Sequence, residues 1–309
     1  MATCCVANSI RVSYDGSMRI CTLLPSATEI AFALGLGDSV VAVSHECDFP
    51  AAAREKPVVV RGRIDSDNAT SREIDDAVQG TMSRGESLYG LDLELLQRIN
   101  PELIITQGLC DVCAVGYDDV LAAAGALRPP ARVLSLSPSS LVEVWSDIAR
   151  VGNATGTSEP ARSLIDSLRE RVERVAARVP EGRARPRVAC LEWLDPLYAA
   201  GHWVPEMVEL AGGKDVLAAA HQPSARVSME TLVEAAPEVL VLMPCGFDEP
   251  RTLEEWEPLK DLPAWQAVPA VANGRVLAVD GSRFFNRPGP RLVDGLEILV
   301  RLIHPTLFA

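Results

Sequence analysis

The 309-residue chain is 48% apolar and carries a net charge of −13, so it is long and apolar enough for two globular domains. The acidic balance opposes approach to phosphate backbones and to anionic bilayers, and we therefore expect no nucleic-acid partner. No stretch approaches the ~20 uninterrupted apolar residues that a membrane-spanning helix needs, so we also expect no membrane insertion.

The N-terminal segment, residues 1–18, has no apolar run long enough for the core of a signal peptide, and it is expected to be a loose tail. These features predict a soluble, cytoplasmic protein. Eight cysteines are too few for a disulfide scaffold in a chain of this length. In a reducing compartment we expect them to be thiols, metal ligands or redox groups.

Strand and helix signals alternate along the first half of the chain. The apolar run at 20–24 predicts a strand, and Pro25 then turns the chain into a helix. The residues Ser26 and Glu29 have the spacing of a capping box, which predicts the start of this helix. Three more strands are predicted, at 40–44, 103–106 and 132–136.

A long helix is predicted in the middle of the chain, because apolar residues recur at spacings of three and four from Pro160 to Val179. One long helix between two α/β halves is expected to make a stiff joint. The chain closes with a second amphipathic helix from Pro290 to Ile303. Between these helices, strands are predicted at 188–191, 239–243 and 276–279.

One sequence pattern occurs twice, at a constant offset of 136 residues from Glu94 to Glu230 and from Pro101 to Pro237. In each copy a short helical stretch runs through a proline turn into an apolar strand. The repeat predicts two similar α/β lobes. Because open parallel sheets bind ligands beyond the carboxyl ends of their strands, we expect the functional site in a cleft between the lobes.

Six short motifs occur along the chain: Leu24-Pro25-Ser26-Ala27-Thr28-Glu29, Ala33-Leu34-Gly35-Leu36-Gly37, the first Glu…Pro-Glu pattern, Glu209-Leu210-Ala211-Gly212-Gly213, the second Glu…Pro-Glu pattern and Pro288-Gly289-Pro290-Arg291. In this order they resemble the helical-backbone class of periplasmic-binding proteins, which capture cobalamin, haem and ferric siderophores. The resemblance is closest to the cobalamin-binding members and runs from about Arg19 to Phe308. It implies two doubly wound α/β lobes joined by one long rigid helix, with a small-molecule ligand clamped in the cleft between them.

The resemblance also implies a docking role for two surface residues. Glu94 and Glu230 coincide with the lobe-surface glutamates with which the family docks on permease arginines. The family's export signal is not recognised in this sequence. Docking on a permease therefore stays an open alternative.

These signals divide the chain into four parts: a tail at 1–18, an N-terminal lobe at 19–155, a linking helix at 156–186 and a C-terminal lobe at 187–309. The stretch 61–90 is longer than the usual link in the family, and we treat it as an insertion in the N-terminal lobe. Its opening at Ser71 has a helical pattern. We expect it to fold over the mouth of the cleft together with Arg61, Arg63 and Tyr89.

Three cysteines, Cys47, Cys110 and Cys113, follow predicted strands of the N-terminal lobe. Strand tips two places apart lie about 10 Å from each other, so short loops could bring the three sulfurs together. Clustered thiolates suit Zn or an iron–sulfur cluster, with His45, Cys245, solvent or a ligand in the remaining position. The alternatives are a redox dithiol at Cys110 and Cys113, or small buried residues without chemistry.

Aromatic side chains follow the predicted strands of the C-terminal lobe, and they offer the faces that a large, flat, partly apolar ligand needs. The favoured function is a receptor that binds a corrinoid of the cobalamin type or a related metal-tetrapyrrole. The alternative is a metallocofactor protein or enzyme with a Zn or iron–sulfur site; no catalytic residue is predicted. The expected ligand contacts are Pro25, Ser26, Arg61, Arg63, Tyr89, Trp193, Trp203 and Phe285.

Overall fold

The computed structural model describes residues 18–66, 69–108, 114–179 and 184–305. Within these ranges the chain forms two α/β lobes, each built on a six-stranded sheet. The predicted fold class, two mixed α/β lobes, is confirmed. Apart from Met18, the tail predicted at 1–18 lies outside the described residues.

The N-terminal lobe is a mostly parallel sheet flanked by helices. Its strands are β1 (Ile20–Thr22), β2 (Val40–Ser44), β3 (Val58–Gly62), β4 (Tyr89–Leu91), β5 (Leu103–Thr106) and β6 (Arg132–Ser135). Its helices are α1 (Pro25–Ala33), α2 (Ser71–Ser83), α3 (Leu93–Ile99), α4 (Tyr117–Ala126) and α5 (Leu141–Thr155). The strand order is β4-β3-β2-β1-β5-β6, and only β4 runs antiparallel to its neighbour.

Helix α6 (Ser158–Ala176) leads from this lobe towards the second sheet. The strands there are β7 (Arg187–Leu194), β8 (Leu197–Ala199), β9 (Lys214–Asp215), β10 (Ala225–Arg226), β11 (Val239–Leu242) and β12 (Val276–Ala278). The helices are α7 (Val204–Leu210), α8 (Met229–Glu234), α9 (Glu249–Trp256), α10 (Pro263–Gln266), α11 (Pro269–Ala272), α12 (Gly281–Phe284) and α13 (Leu292–Ile303). The order is β10-β8-β7-β11-β12, with β9 also paired to β7.

The sequence repeat corresponds to the same unit in both lobes. Helix α3 runs into β5, which lies between β1 and β6, and helix α8 runs into β11, which lies between β7 and β12. The turn after each helix uses a left-handed residue at the repeat offset, Asn100 at φ 48° and Ala236 at φ 40°. The repeat therefore marks a shared backbone conformation as well as a shared pattern of side chains.

The start of α1 differs from the prediction. The N-cap residue is Leu24, its side chain makes no capping hydrogen bond, and Pro25 occupies the first turn. Ser26 and Glu29 form no capping box, because the helix begins at Pro25 and Ser26 therefore lies inside its first turn. The Glu29 carboxylate instead binds Arg291 of the other lobe.

One cluster of buried apolar side chains passes through both lobes. It contains Ile20 of β1 and Ile148 of α5 from the N-terminal lobe, Leu168 of α6, and Met207 and Leu296 from the C-terminal lobe. We call this cluster the shared core. Because apolar groups of both lobes are removed from water in the same cluster, separating the lobes would expose them to water.

Helix α6 is also tied to α13 by charge. Arg171 donates from Nη2 to Asp294 at 2.5 Å and from Nε to Glu297 at 2.9 Å. At the other end, α5 and α6 approach so closely that a Cβ on Gly152 would lie 2.5 Å from the Ala161 Cβ. The linking helix is therefore packed along its length. None of the helices in the described ranges is both long and apolar enough to cross a bilayer.

The left-handed turn at Ala236 yields a stability prediction. We expect Ala236→Gly to raise the free energy of unfolding by about 0.5–1 kcal/mol, because relief of left-handed strain exceeds the entropic cost of glycine. Urea unfolding measures the change. The control is Ala235→Gly, at a right-handed position, which should lower stability. An Ala236→Gly variant no more stable than the parent would contradict the argument.

Candidate functional site

The loops that follow the central strands define where the two lobes meet. In the N-terminal sheet β1 lies between β2 and β5. The strands that follow β1 in the chain are therefore added first on one side of it and then on the other, which makes β1 the point where the strand order reverses. Open α/β sheets bind ligands beside the carboxyl ends of strands at such a reversal. Pro25 and Ser26 follow β1, and Trp193 lies near the end of β7 in the other lobe. These are the regions that bring N-terminal and C-terminal residues into contact.

A buried ion pair joins the lobes beside β1. Glu29 of α1 is 4% exposed and Arg291, the N-cap residue of α13, is 9% exposed. Arg291 donates from Nε to Glu29 Oε2 at 3.0 Å and from Nη2 to Oε1 at 2.5 Å. Its guanidinium also lies 4.1 Å from the centre of the Phe49 ring. This bidentate ion pair fixes the position of α1 relative to α13.

A second arginine extends this contact. Arg287 donates from Nη1 to Asp48 at 2.5 Å and from Nη2 to the carbonyl oxygen of Glu46 at 3.2 Å. Its Nη1 atom also lies 3.9 Å from Glu29 Oε1. Burial raises the pKa of Glu29, and the arginines oppose that rise. The attraction between the carboxylates and the guanidinium groups therefore offsets the cost of removing these charges from water.

The backbone beside these arginines is close-packed. A Cβ on Gly289 would lie 3.3 Å from Glu29 Oε2 and 3.7 Å from the Ser26 Cα atom. A Cβ on Gly281 would lie 2.5 Å from the carbonyl oxygens of Met243 and Pro244. The structure thus places Pro25 and Ser26, both buried, against the other lobe. Residues this deeply buried present almost no surface to a ligand, so the structure does not support the prediction that Pro25 and Ser26 contact it.

The insertion makes the second contact between the lobes. Arg72 of α2 forms a two-point ion pair with Asp195. Ser71 donates from Oγ to Glu255 Oε2 at 2.8 Å, and Trp193 Nε1 donates to the Ser71 carbonyl oxygen at 3.1 Å. The predicted helix at Ser71 is confirmed, and its N-terminal end lies on the C-terminal lobe.

The other predicted residues of the insertion lie at its base. Arg61 and Gly62 of β3 pair with Gly90 and Tyr89 of β4. Arg61 and Arg63 are exposed and Tyr89 is half-buried. The Tyr89 ring lies 6.2 Å from that of His45. Because Gly62 is the partner of Tyr89 and Gly90 the partner of Arg61, the Arg61 side chain points to the opposite face of the sheet from this ring.

Trp193 lies beside further aromatic surface. It is half-buried, and its ring centre is 5.3 Å from that of Phe247. The Arg251 guanidinium lies 5.0 Å from the Phe247 ring centre. Phe247 was not predicted. It is 6% exposed, so it supports the Trp193 ring from behind and offers almost no surface of its own to a ligand.

Two predicted ligand contacts belong to the shared core. Trp203 is 6% exposed and Phe285 is 1% exposed, and Trp203 Nε1 donates to the Phe285 carbonyl oxygen at 2.7 Å. Rings this deeply buried present almost no surface to a ligand. The prediction that Trp203 and Phe285 contact the ligand is corrected on this ground: they hold α7 against the loop that follows α12.

The predicted cysteine site is not supported. Cys110 and Cys113 lie outside the described residues. Cys47 is 3% exposed, packs with apolar residues and accepts a hydrogen bond from the Thr28 hydroxyl at 3.0 Å, whereas Cys245 is exposed in the other lobe. Burial raises the pKa of the Cys47 thiol to about 11, the opposite of what a ligating thiolate requires. Among the described residues no three His, Cys, Asp or Glu side chains could hold a metal ion.

The two glutamates of the repeat lie on the surface of their lobes. Glu94 of α3 has a side chain 90% exposed, 4.0 Å from Arg98, and Glu230 of α8 is exposed as well. Their positions leave both carboxylates accessible. A docking role for them stays a prediction, as does the cytoplasmic location.

Sequence reasoning missed the charged contact between the lobes. Glu29 stood in a motif interpreted as a cap, and Arg291 stood in the Pro288–Arg291 motif without a role. The available signal was an ionisable residue inside the apolar helix α1, all of whose residues from Pro25 to Ala31 are buried. A charge at such a position requires a partner.

A family model described as periplasmic binding protein matches residues 20–282. The match spans most of the chain, and the order of elements and the two lobes agree with it. The chain belongs to the periplasmic binding protein family, which confirms the resemblance.

Named relatives and solved structures show the same fold. The vitamin B12-binding protein of Vibrio cholerae is 25% identical, and the alignment covers 90% of this chain and 86% of that protein. The crystal structure of the periplasmic vitamin B12-binding protein of Vibrio cholerae superimposes with a TM-score of 0.67 at 23% identity, covering 94% of this chain and 97% of that one. A periplasmic haem-binding protein from Pseudomonas aeruginosa gives 0.71 at 21% identity, covering 94% and 93%.

The Glu29–Arg291 pair yields a second prediction. Glu29→Gln should lower the free energy of unfolding by about 3 kcal/mol or more, because it leaves a buried guanidinium without its counter-charge. Chemical unfolding measures the loss. Glu94→Gln, at an exposed position, is the matched control and should change stability by about 0.5 kcal/mol or less. Adding Arg291→Met to Glu29→Gln should recover part of the loss; equal stability of Glu29→Gln and the parent would refute the assignment.

The cysteine environments yield a third prediction. In the folded protein at neutral pH, iodoacetamide should modify Cys245 and leave Cys47 unmodified, since Cys47 is buried and its thiol is protonated. Peptide mass spectrometry gives the two rates. Both cysteines should react alike in urea, and equal rates in the folded state would show that Cys47 is accessible.

Proposed function

We propose that this protein binds a corrinoid of the cobalamin type, or a related metal-tetrapyrrole, between its two lobes. The observation that carries the proposal is the aromatic group where the lobes meet, in which the accessible ring is that of Trp193 and the buried Phe247 supports it. Trp193 is half-buried at the end of β7, with Phe247 5.3 Å away. Aromatic faces of this kind suit the large, flat and partly apolar surface of such a ligand.

The polar groups around the cleft fit the same ligand class. Arg61 and Arg63 are exposed at the base of the insertion. Cationic donors suit the carboxylates of a haem and the carbonyl and phosphate oxygens of a cobalamin. The named relatives support this class, since proteins that bind vitamin B12 and proteins that bind haem are both found among them.

The shared core bears on how such a ligand would be held. Because apolar residues of both lobes and α6 form one cluster, the lobes are expected to move little relative to each other on binding. A cleft of fixed width favours one size of ligand, and little of the binding free energy is then needed to bring the lobes together. Affinity would then depend on the groups that already line the contact.

The test is a titration of the purified protein with several corrinoids and with haem, followed by calorimetry and by visible absorbance. Binding of one molecule per chain is expected for at least one of them. Absence of binding by all of them at high micromolar concentration would overturn the proposal.

Two tryptophan variants separate ligand contact from core packing. Trp193→Ala should weaken binding by about 1–3 kcal/mol, the range for loss of an aromatic contact at the centre of an interface. The matched control is Trp203→Phe, which removes the hydrogen bond to the Phe285 carbonyl oxygen inside the core. It should lower stability and leave affinity unchanged. The opposite pattern would assign the ligand contact to Trp203 and restore the original prediction.

A further inference from the structure

Helix α2 connects the two lobes at a place separate from the shared core. It lies in the connection between β3 and β4, which pair antiparallel, so both of its ends belong to the N-terminal lobe. Arg63, just after β3, donates its backbone N–H to the Leu88 carbonyl oxygen at 2.9 Å and narrows the base of this connection. The helix is thus an arm with a fixed base.

The N-terminal end of this arm rests on the C-terminal lobe through polar contacts. Arg72 pairs with Asp195, and both side chains are largely solvent-exposed. Ser71, which is fully buried, donates from its backbone N–H and its hydroxyl to Glu255. Arg251 Nη2 donates to the Ala69 carbonyl oxygen at 2.5 Å. We call these contacts, with the bond from Trp193 to Ser71, the latch.

Little apolar surface holds the arm in place. Only Ser71 and Ile74 are buried among the 13 residues of α2. Seven of the 12 residues of α13 are buried, by contrast, and most of them belong to the shared core. Segments with few buried apolar contacts open locally at a lower free energy than the core elements.

The arm has its own local stability, so its release does not require that the helix unfold. Thr70 and Glu73 form a capping box, in which the Thr70 backbone N–H donates to Glu73 at 2.8 Å. This box satisfies the backbone N–H groups of Thr70 and Glu73 within the arm itself, whereas the Ser71 N–H donates to Glu255 of the C-terminal lobe. The helix can therefore leave its contacts before its own hydrogen bonds open. A released helix of 13 residues is only marginally stable in water, so its amides exchange once the contacts are lost.

We propose that α2 is a gate at the mouth of the cleft: the latch releases while the shared core keeps the lobes together, and this release limits how fast ligand enters and leaves. The gating part of this proposal rests on the proposed function. Trp193 connects the latch to the proposed ligand site, because its ring belongs to the aromatic group and its Nε1 atom donates a hydrogen bond in the latch.

The first experiment measures release without any ligand. Hydrogen exchange of the whole ligand-free chain, followed by mass spectrometry, should show the α2 amides exchanging through a local opening much faster than those of α6 and α13. Arg72→Glu should speed exchange in α2 about three- to fivefold further, since it replaces attraction to Asp195 by repulsion. Arg98→Glu, which breaks the exposed pair with Glu94 on α3, is the matched control and should leave α2 exchange unchanged.

The second experiment measures gating by stopped-flow mixing with cyanocobalamin and with haem. In Arg72→Glu the association and dissociation rates should both rise about three- to fivefold, with the dissociation constant nearly unchanged, because release of a gate affects both directions equally. The charge-swapped pair Arg72→Glu with Asp195→Arg should restore the parent rates.

Each negative outcome has a distinct meaning. Equal opening of α2, α6 and α13 would overturn the local release. Faster exchange with unchanged binding rates would overturn the gate, and a changed dissociation constant at an unchanged association rate would make α2 a ligand contact instead. If neither probe binds the parent protein, the proposed function and the gating fail together, while hydrogen exchange still decides whether the latch releases.

Discussion

The shared core is the constraint on which the rest of the structure depends. Apolar side chains of β1, α5, α6, α7 and α13 are buried in one cluster, so neither lobe completes its own interior alone. Two lobes held in this way keep the carboxyl ends of β1 and β7 at a fixed separation. The loops after those strands can then carry ligand-binding groups without first having to be brought together, and this fixed placement reduces the ordering cost of binding.

The buried charges beside β1 are tolerable because of that placement. A carboxylate and two guanidinium groups taken out of water would be costly if their geometry were loose. Glu29 and Arg291 meet in a two-point arrangement, and Asp48 takes up Arg287. The close approach of Gly289 to Ser26 supports this geometry from the backbone side. The shared core and the ion pairs beside β1 therefore depend on each other.

The sequence predicted the fold well because the fold rests on local and periodic signals. The repeat at Glu94 and Glu230, the apolar strands and the long amphipathic helix are each readable within a short window. The site was predicted less well, because its residues come from positions more than 200 apart, such as Glu29 and Arg291. Trp203 and Phe285 were misassigned for a related reason: composition shows an aromatic residue after a strand, but only tertiary packing decides whether its ring faces solvent or core.

The two connections between the lobes differ in chemistry, and solvent composition should therefore act on them in opposite directions. Sulfate and similar solutes, which are excluded from protein surfaces, strengthen the burial of apolar groups and so stabilise the shared core. Dissolved ions also screen exposed pairs such as Arg72 with Asp195, which weakens the hold on α2. A single change in ionic environment would thus leave the protein more firmly assembled and its cleft more open.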